Sequence, residues 1–206
     1  AEHTFLHRTV YGPNSTQTGF EALEHEWNRL LKTSSFNTIF MTYEWQTLWW
    51  RMLGRGELWI VTFRCAQDNQ LVGIAPLFLE AHKDDDRAGQ QHFHLVGCIE
   101  VSDYLDLIIT SGWEDAVYHS LCDWLLSDES PPWDGVDFCN LPEDSLIYRS
   151  LPELFRVADC HVQIFEEDTA PQFALPARYE RYLQEQVSKK QRHEIRRKQR
   201  RAEREA

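Results

Sequence analysis

Hydrophobic and polar positions along this chain follow two different periods, and the changes of period mark its elements. Short runs rich in β-branched and aromatic residues over 4–10, 58–65, 71–81, 92–96, 104–110, 136–140 and 161–165 predict strands. Gly12-Pro13-Asn14-Ser15 breaks the first, and Gln67-Asp68-Asn69-Gln70 predicts a hairpin turn between the second and third. Phe20, Leu23, Trp27, Leu30 and Leu31 recur instead at three- and four-residue spacing, which predicts an amphipathic helix. A second helix is predicted over 43–53, with Trp45, Leu48, Trp49 and Met52 on one face and Gly54-Arg55-Gly56 as its stop. Two more are predicted over 113–126 and 146–157. From Arg178 onward there is no Gly or Pro, and 178–206 predicts one long helix, with Tyr179, Leu183, Val187 and Ile195 as an apolar stripe. At about 1.5 Å per residue it would reach roughly 40 Å, longer than one small lobe needs.

This order, strand then helices, several mainly antiparallel strands, then helix and strand in alternation, predicts an α/β (α+β) protein with a central mixed sheet flanked by helices. At 206 residues the chain holds one sizeable domain, taken as 1–177, followed by the helical segment 178–206.

Charge sharpens that division. The last eighteen residues carry nine Lys/Arg against three Glu, a local charge of +6, whereas the whole chain carries a net −12, leaving −18 on the first 188 residues. An acidic body repels a phosphate backbone, so nucleic acid is not an expected partner except through the basic helix. Five cysteines, at 65, 98, 122, 139 and 160, are odd in number and widely spaced in apolar surroundings, which predicts buried reduced thiols and a cytoplasmic chain. No apolar run approaches the roughly 18 residues of a bilayer-crossing helix, so no transmembrane segment is expected.

The sequence contains no Gly-x-Ser-x-Gly elbow, no His-Glu-x-x-His and no Gly-x-x-x-x-Gly-Lys, and no catalytic residue is nominated. His92-Phe93-His94 sets two imidazoles on one side of a strand but lacks a third ligand at a recognisable spacing, so half-buried histidines and no metal are expected. Asp84-Asp85-Asp86 lacks the Gly and Glu of a calcium loop and reads as a solvated bend. Ser102-Asp103-Tyr104-Leu105-Asp106 has polar groups on both faces at the start of a predicted strand. It serves either as a cap for a turn or as the edge of a ligand cleft. The tryptophans, Trp45, Trp49 and Trp50 above all, divide between core packing and a binding wall in the same way.

Taken in order, Phe40 with Trp45-x-x-Leu48-Trp49-Trp50, Leu71-Val72-Gly73-Ile74-Ala75-Pro76-Leu77, Ser102-Asp103-Tyr104-Leu105-Asp106, Trp133-Asp134-x-Val136-Asp137 with Asn140-Leu141-Pro142-Glu143, and Leu175-Pro176 through Ser188-Lys189-Lys190-x-Arg192 to Arg201 resemble the first half of Fem-like, two-lobed acyltransferases of the GNAT superfamily, including proteins labelled CelD-like. The resemblance implies a GNAT-like lobe, 1–177, and a basic connector, 178–206, leading to a second lobe that performs acyl transfer and is absent here. It also implies a complete enzyme that moves an acyl group from CoA, or an aminoacyl group from a tRNA, to a small-molecule amine. In a working GNAT fold, a glycine-rich loop running from a central strand into a helix holds the cofactor diphosphate on its amides. The matching stretch here is Ser111-Gly112-Trp113-Glu114-Asp115, where one glycine survives and two carboxylates stand in the place of the anion.

The expectation is therefore a non-catalytic lobe that binds no cofactor itself, while the complete protein uses acyl-CoA. Asp103, Tyr104 and Asp106 are the expected hydrogen-bonding groups toward substrate, and Trp49 and Trp50 its apolar wall. The basic residues Lys189, Lys190, Arg192, Arg196, Arg197, Arg200 and Arg201 are the expected partner-binding set. A second reading stays open: a binding or scaffold protein whose basic helix docks on an acidic partner, RNA or an anionic membrane.

Overall fold

The computed structural model describes residues 6–82, 87–98, 101–169, 171 and 174–205. The Asp84-Asp85-Asp86 bend lies outside the described residues. The chain divides into two compact units, Ala1–Glu167 and Asp168–Ala206, somewhat ahead of the boundary expected at 177.

The first unit is a mixed α/β structure around a mostly antiparallel open sheet. Its strands β1 (Leu6–Tyr11), β2 (Glu57–Cys65), β3 (Leu71–Ala81), β4 (Gln91–Leu95) and β6 (Gly135–Asp137) neighbour one another in that spatial order, and β5 (Ile108–Ile109) also pairs with β3. Every pairing is antiparallel except β4 with β6, which is parallel. A parallel neighbour needs a crossover connection, and helix α4 (Glu114–Leu125) supplies it.

Nine successive residues of β3, from Leu71 to Leu79, are buried, so both of its faces are covered. Glycines mark the two close approaches that make this possible. A Cβ on Gly19, which opens α1 (Gly19–Leu23), would lie 2.3 Å from Ile60, and one on Gly73 would lie 2.9 Å from Val117 of α4. Ile60 and Phe63, the strand neighbour of Gly73, have opposite parity along β2, so α1 and α4 pack on opposite faces.

Helix α3 (Tyr43–Leu53) forms where its pattern predicts. Thr42 caps it by accepting the Trp45 amide, and the Gly54 amide returns to Trp50 O at 3.0 Å. The helix expected across Phe20 to Leu31 is instead two short ones, α1 and α2 (Trp27–Leu31). In the turn between them Glu26 meets Arg64 of β2 at 2.7 Å, while Phe20, Leu23, Trp27, Leu30 and Leu31 all remain buried. A 3-10 turn (Ile39–Met41) and α5 (Ile147–Val157) complete the unit. The strand expected over 161–165 is absent, since those residues pair with no strand.

Registers reveal how the fourth strand is built. Leu77 faces Leu95 and Gly73 faces Ile109, so β4 and β5 are two pieces of one line along β3, broken where residues 96–107 loop out. The strand expected over 104–110 is thereby reduced to its last part. Backbone groups in the excursion find specific partners, as buried peptide groups must. Val96 donates to Pro76 O (2.8 Å) and accepts from Gln46 Nε2 (2.9 Å), and Leu105 donates to Asn140 O (3.0 Å). Ser102 accepts from Trp45 Nε1 at its hydroxyl (2.9 Å) and from Asn140 Nδ2 at its carbonyl (2.8 Å).

Cys98 and Cys139 are joined by a disulfide across this same loop, with Cα atoms 5.8 Å apart. The expectation of five reduced thiols is corrected for this pair; Cys65, Cys122 and Cys160 are free. A sequence separation of 41 hides the pair from any local spacing rule, and with it the cysteine argument for a cytoplasmic chain loses its premise. Among the described residues no helix is long and apolar enough to cross a membrane.

The second unit corrects the single long helix expected over 178–206. It forms α6 (Tyr179–Glu185) and α7 (Lys189–Glu205), with Ser188 at the break. Ser188 Oγ accepts the Gln191 amide at 3.4 Å and donates to Gln191 Oε1 at 2.8 Å, much as a Ser-x-x-Gln capping box starts a new helix. The two helices then fold together, with Arg196 on Glu180 at 2.8 Å and Gln199 Nε2 on the Tyr179 hydroxyl at 2.8 Å.

Candidate functional site

The stretch nominated from sequence lies in the 96–107 excursion and at the entrance to α4. Its residues end up in different environments. Asp103 is exposed, and Tyr104 is half-buried with φ +54, its carbonyl accepting the Thr38 hydroxyl at 3.4 Å. Asp106 is 3% exposed. Trp49 is buried against Phe78, with ring centroids 5.7 Å apart, and the half-buried Trp50 lies 5.9 Å from the same ring. Trp49 therefore belongs to the core.

Asp106 is the chemically distinctive member. Its Oδ1 accepts the Leu107 amide at 2.6 Å, and the carboxylate also lies beside the Ser145 hydroxyl. Burial pushes its pKa up to about 6, with the charges of Asp144 and Glu114 adding to the rise against the pull of Ser145 and the Leu107 amide. Burial likewise raises the Tyr118 hydroxyl, with Asp106 as the next contributor. Asp106, Glu114 and Tyr118 line a cleft with Ser34, Ser35 and Phe36, and its free space is about 20 Å³. That is room for about one water and far too little for an acyl-pantetheine arm. A larger hollow of about 600 Å³ lies along the β1 edge and contains none of the nominated residues; its Arg8 and Glu129 pair with each other at 2.8 Å.

At the entrance to α4, Gly112 takes φ +93, and its amide donates to Glu114 Oε2 at 2.7 Å. Glu114 and Asp115 occupy the first turn of the helix. The carboxylate thus uses the amide nearest the one surviving glycine and places negative charge at the positive end of the helix.

A second cluster lies at the ends of β3, β4 and β6. The sequence pattern singles out His92 and His94 here but not His82, which lies just across the β3–β4 connection, nor Asp137, which is 45 positions from His92 and reaches it only through the crossover to β6. The histidines expected at the surface or half-buried are both buried, at 6% and 8% exposed, because β6 pairs alongside β4: His92 pairs with Gly135 and His94 with Asp137, while His82 directly follows the last residue of β3. His92 Nδ1 lies 2.8 Å, Arg87 Nη1 3.1 Å and His82 Nε2 3.5 Å from Asp137 Oδ2. Burial tends to raise the Asp137 carboxyl, but the His92 hydrogen bond and the charges of His92, His94 and Arg87 outweigh it, so the net shift is downward. Burial drives the His94 imidazole down to about 4, and its ring stacks on Phe78 at 5.1 Å.

Of the basic residues on α7, Arg196 pairs with Glu180 and Arg197 with Glu194, and Arg201 pairs with Glu205. Arg192 donates to the Gln184 and Val187 carbonyls at 3.2 and 3.1 Å. Lys189, Lys190 and Arg200 are exposed.

Comparison of the chain with known protein-family models and with curated proteins returns no match.

Proposed function

We propose that this chain is a non-catalytic, GNAT-like lobe serving an N-acyltransferase, whose partner lobe takes an acyl-CoA or aminoacyl donor and an amine acceptor. The acyltransferase part of this reading rests on the resemblance of the ordered motifs. The observation that carries the non-catalytic part is the Glu114 carboxylate on the Gly112 amide, at the position where a GNAT loop presents amides to a diphosphate. An added diphosphate would have to displace that contact and sit beside Asp115 as well. The one-water cleft next to it offers no channel for the acyl arm. In the paired lobe, a general base and an oxyanion-binding pair of amides would carry the transfer. Asp103 and Tyr104 would be this lobe's contribution toward the acceptor, on the exposed side of the excursion.

Calorimetric titration of acetyl-CoA into the chain tests the reading. No saturable heat is expected, and binding of micromolar affinity would overturn the non-catalytic assignment. Acyl-CoA-dependent or aminoacyl-tRNA-dependent acylation of an amine by the product of the complete reading frame would support the acyltransferase assignment; absence of both activities would overturn it.

The scaffold reading keeps a foothold in Lys189, Lys190 and Arg200, exposed cations on one helix. Three other arginines of α7 are already offset by glutamates, which lowers the field available to RNA or anionic lipid. Binding to either that falls steeply with salt, and is lost when 189–206 is removed, would favour the scaffold.

A further inference from the structure

Three side chains from three adjacent strands converge at one end of the sheet with the donor set of a transition-metal site. Their ligand atoms, from His82, His92 and Asp137, all lie within 4.8 Å of one another. Two imidazoles and a carboxylate, with a further position left for water, make a donor set that zinc accepts readily.

Spacing supports this more closely than the residue types alone. Bonds of about 2.0–2.1 Å at tetrahedral angles put neighbouring ligand atoms roughly 3.4 Å apart. His82 Nε2 already lies 3.5 Å from Asp137 Oδ2, and His92 Nδ1, now 2.8 Å from the same oxygen, needs to open only slightly. The rings of His82 and His92 meet edge to face with centroids 4.4 Å apart, and one ligand nitrogen of each lies within 4.8 Å of the other.

Two further observations fit an occupant of the cluster. His82 Nε2 is buried and makes no hydrogen bond of good geometry, its nearest acidic oxygen being Asp137 Oδ2 at 3.5 Å, so a cation between the two would satisfy both. Gly135, beside His92 in the register, has no side chain where a Cβ would lie 2.5 Å from the imidazole. That gap lets the ring lie over β6 and reach Asp137. On its far side His92 Nε2 lies 3.3 Å from Gln90 Oε1, the outer-sphere acceptor that orients a ligating imidazole. Arg87 now shares Oδ2 of Asp137; its side chain is 46% exposed, so it can turn outward or to Oδ1 when a cation enters. His94 stays outside the set, with its ring centroid 6.0 Å from that of His82 and 6.4 Å from that of His92.

We propose that His82, His92 and Asp137 form a binding site for one zinc-class divalent cation, which ties β3, β4 and the short strand β6 together. A metal at His92 Nδ1 requires the ring proton to sit on Nε2, where Gln90 Oε1 can accept it. The proposal is independent of the acyltransferase reading.

Titrating Zn²⁺ into the untagged, chelator-stripped chain by calorimetry tests the site, with Co²⁺ absorption in the visible range as a report on coordination. The expected result is one equivalent bound, tetrahedral-type cobalt bands, and a melting temperature that climbs with zinc concentration. His82→Gln and Asp137→Asn should each weaken binding by about 100-fold or more, beyond the range seen for loss of an outer-sphere partner, while His94→Gln keeps the site. His82 follows the end of its strand, so His82→Gln decides the matter even if substitution at His92 prevents folding. No saturable single-site binding by the folded wild-type chain would overturn the proposal. So would equal affinity in His82→Gln and Asp137→Asn proteins with unchanged circular dichroism.

Discussion

Glu114 accepts the amide hydrogen of Gly112 at 2.7 Å, two residues back in the chain, and so holds its carboxylate just ahead of α4, whose N-cap residue Trp113 makes no side-chain cap bond. Neither residue alone would do this. Gly112 adopts φ +93, a conformation open to glycine, and Glu114, in the first helical turn, reaches back to its exposed amide. With Asp115, the same carboxylate sets negative charge beside the positive end of the crossover helix, where it would repel an anionic ligand.

Glu114→Ala should therefore cost about 1 kcal/mol, combining the lost hydrogen bond from the Gly112 amide with a lost charge at the helix dipole. Glu114→Gln keeps the acceptor and should recover part of the loss. Urea unfolding at low and high salt separates the two contributions, because the gap between wild type and Glu114→Gln should shrink as salt screens the charge.

Asp106 makes stability depend on pH in an unusual sense. Its folded pKa of about 6 lies above the ordinary 3.8, so between those values the folded chain holds a proton that the unfolded chain has released. The contribution is complete below about pH 4 and is lost as pH rises to about 6, a fall on the order of 3 kcal/mol for a group this buried. Asp106→Asn should remove that component. Unfolding curves collected from pH 4 to 7 check it, and identical slopes in the two proteins would contradict the burial argument.

The Cys98–Cys139 bond closes a loop with a sequence separation of 41 and ties the 96–107 excursion to the segment after β6. Loop-closure entropy for that length predicts a loss of about 3–4 kcal/mol on reduction. Urea midpoints with and without a phosphine reductant, alongside the Cys98→Ser/Cys139→Ser protein, measure it. Reduced wild type and the double variant should coincide.

Ser188 decides where the basic helix begins. Ser188→Ala should lower the local stability of α7 by about 1 kcal/mol, seen as faster amide exchange across 189–196 while the β3 amides are unaffected.

Local physics made much of this fold legible. The apolar stripe of 43–53 and the Gly54 stop lead to α3, and Asp68-Asn69 leads to the β2–β3 turn, because in both places neighbouring residues alone favour the observed conformation. Ser188-x-x-Gln191 is an equally local signal, yet the run without Gly or Pro outweighs it in the expectation of one helix over 178–206, which the structure divides there. In contrast, 161–165 alternates like a strand but forms none, since a strand needs a partner that sequence does not name.

For the candidate sites the division runs along the same line. Composition and short motifs nominated Asp106, the acidic bend at Gly112–Glu114 and the pair His92 and His94, but burial alone makes Asp106 unusual. The meeting of His82, His92 and Asp137, and the bond between Cys98 and Cys139, exist because a parallel crossover lays β6 beside β4. Sequence determines which chemical groups the chain carries and where its backbone prefers to turn. Which distant groups become neighbours is set by strand register, and register follows from burying both faces of β3 at once.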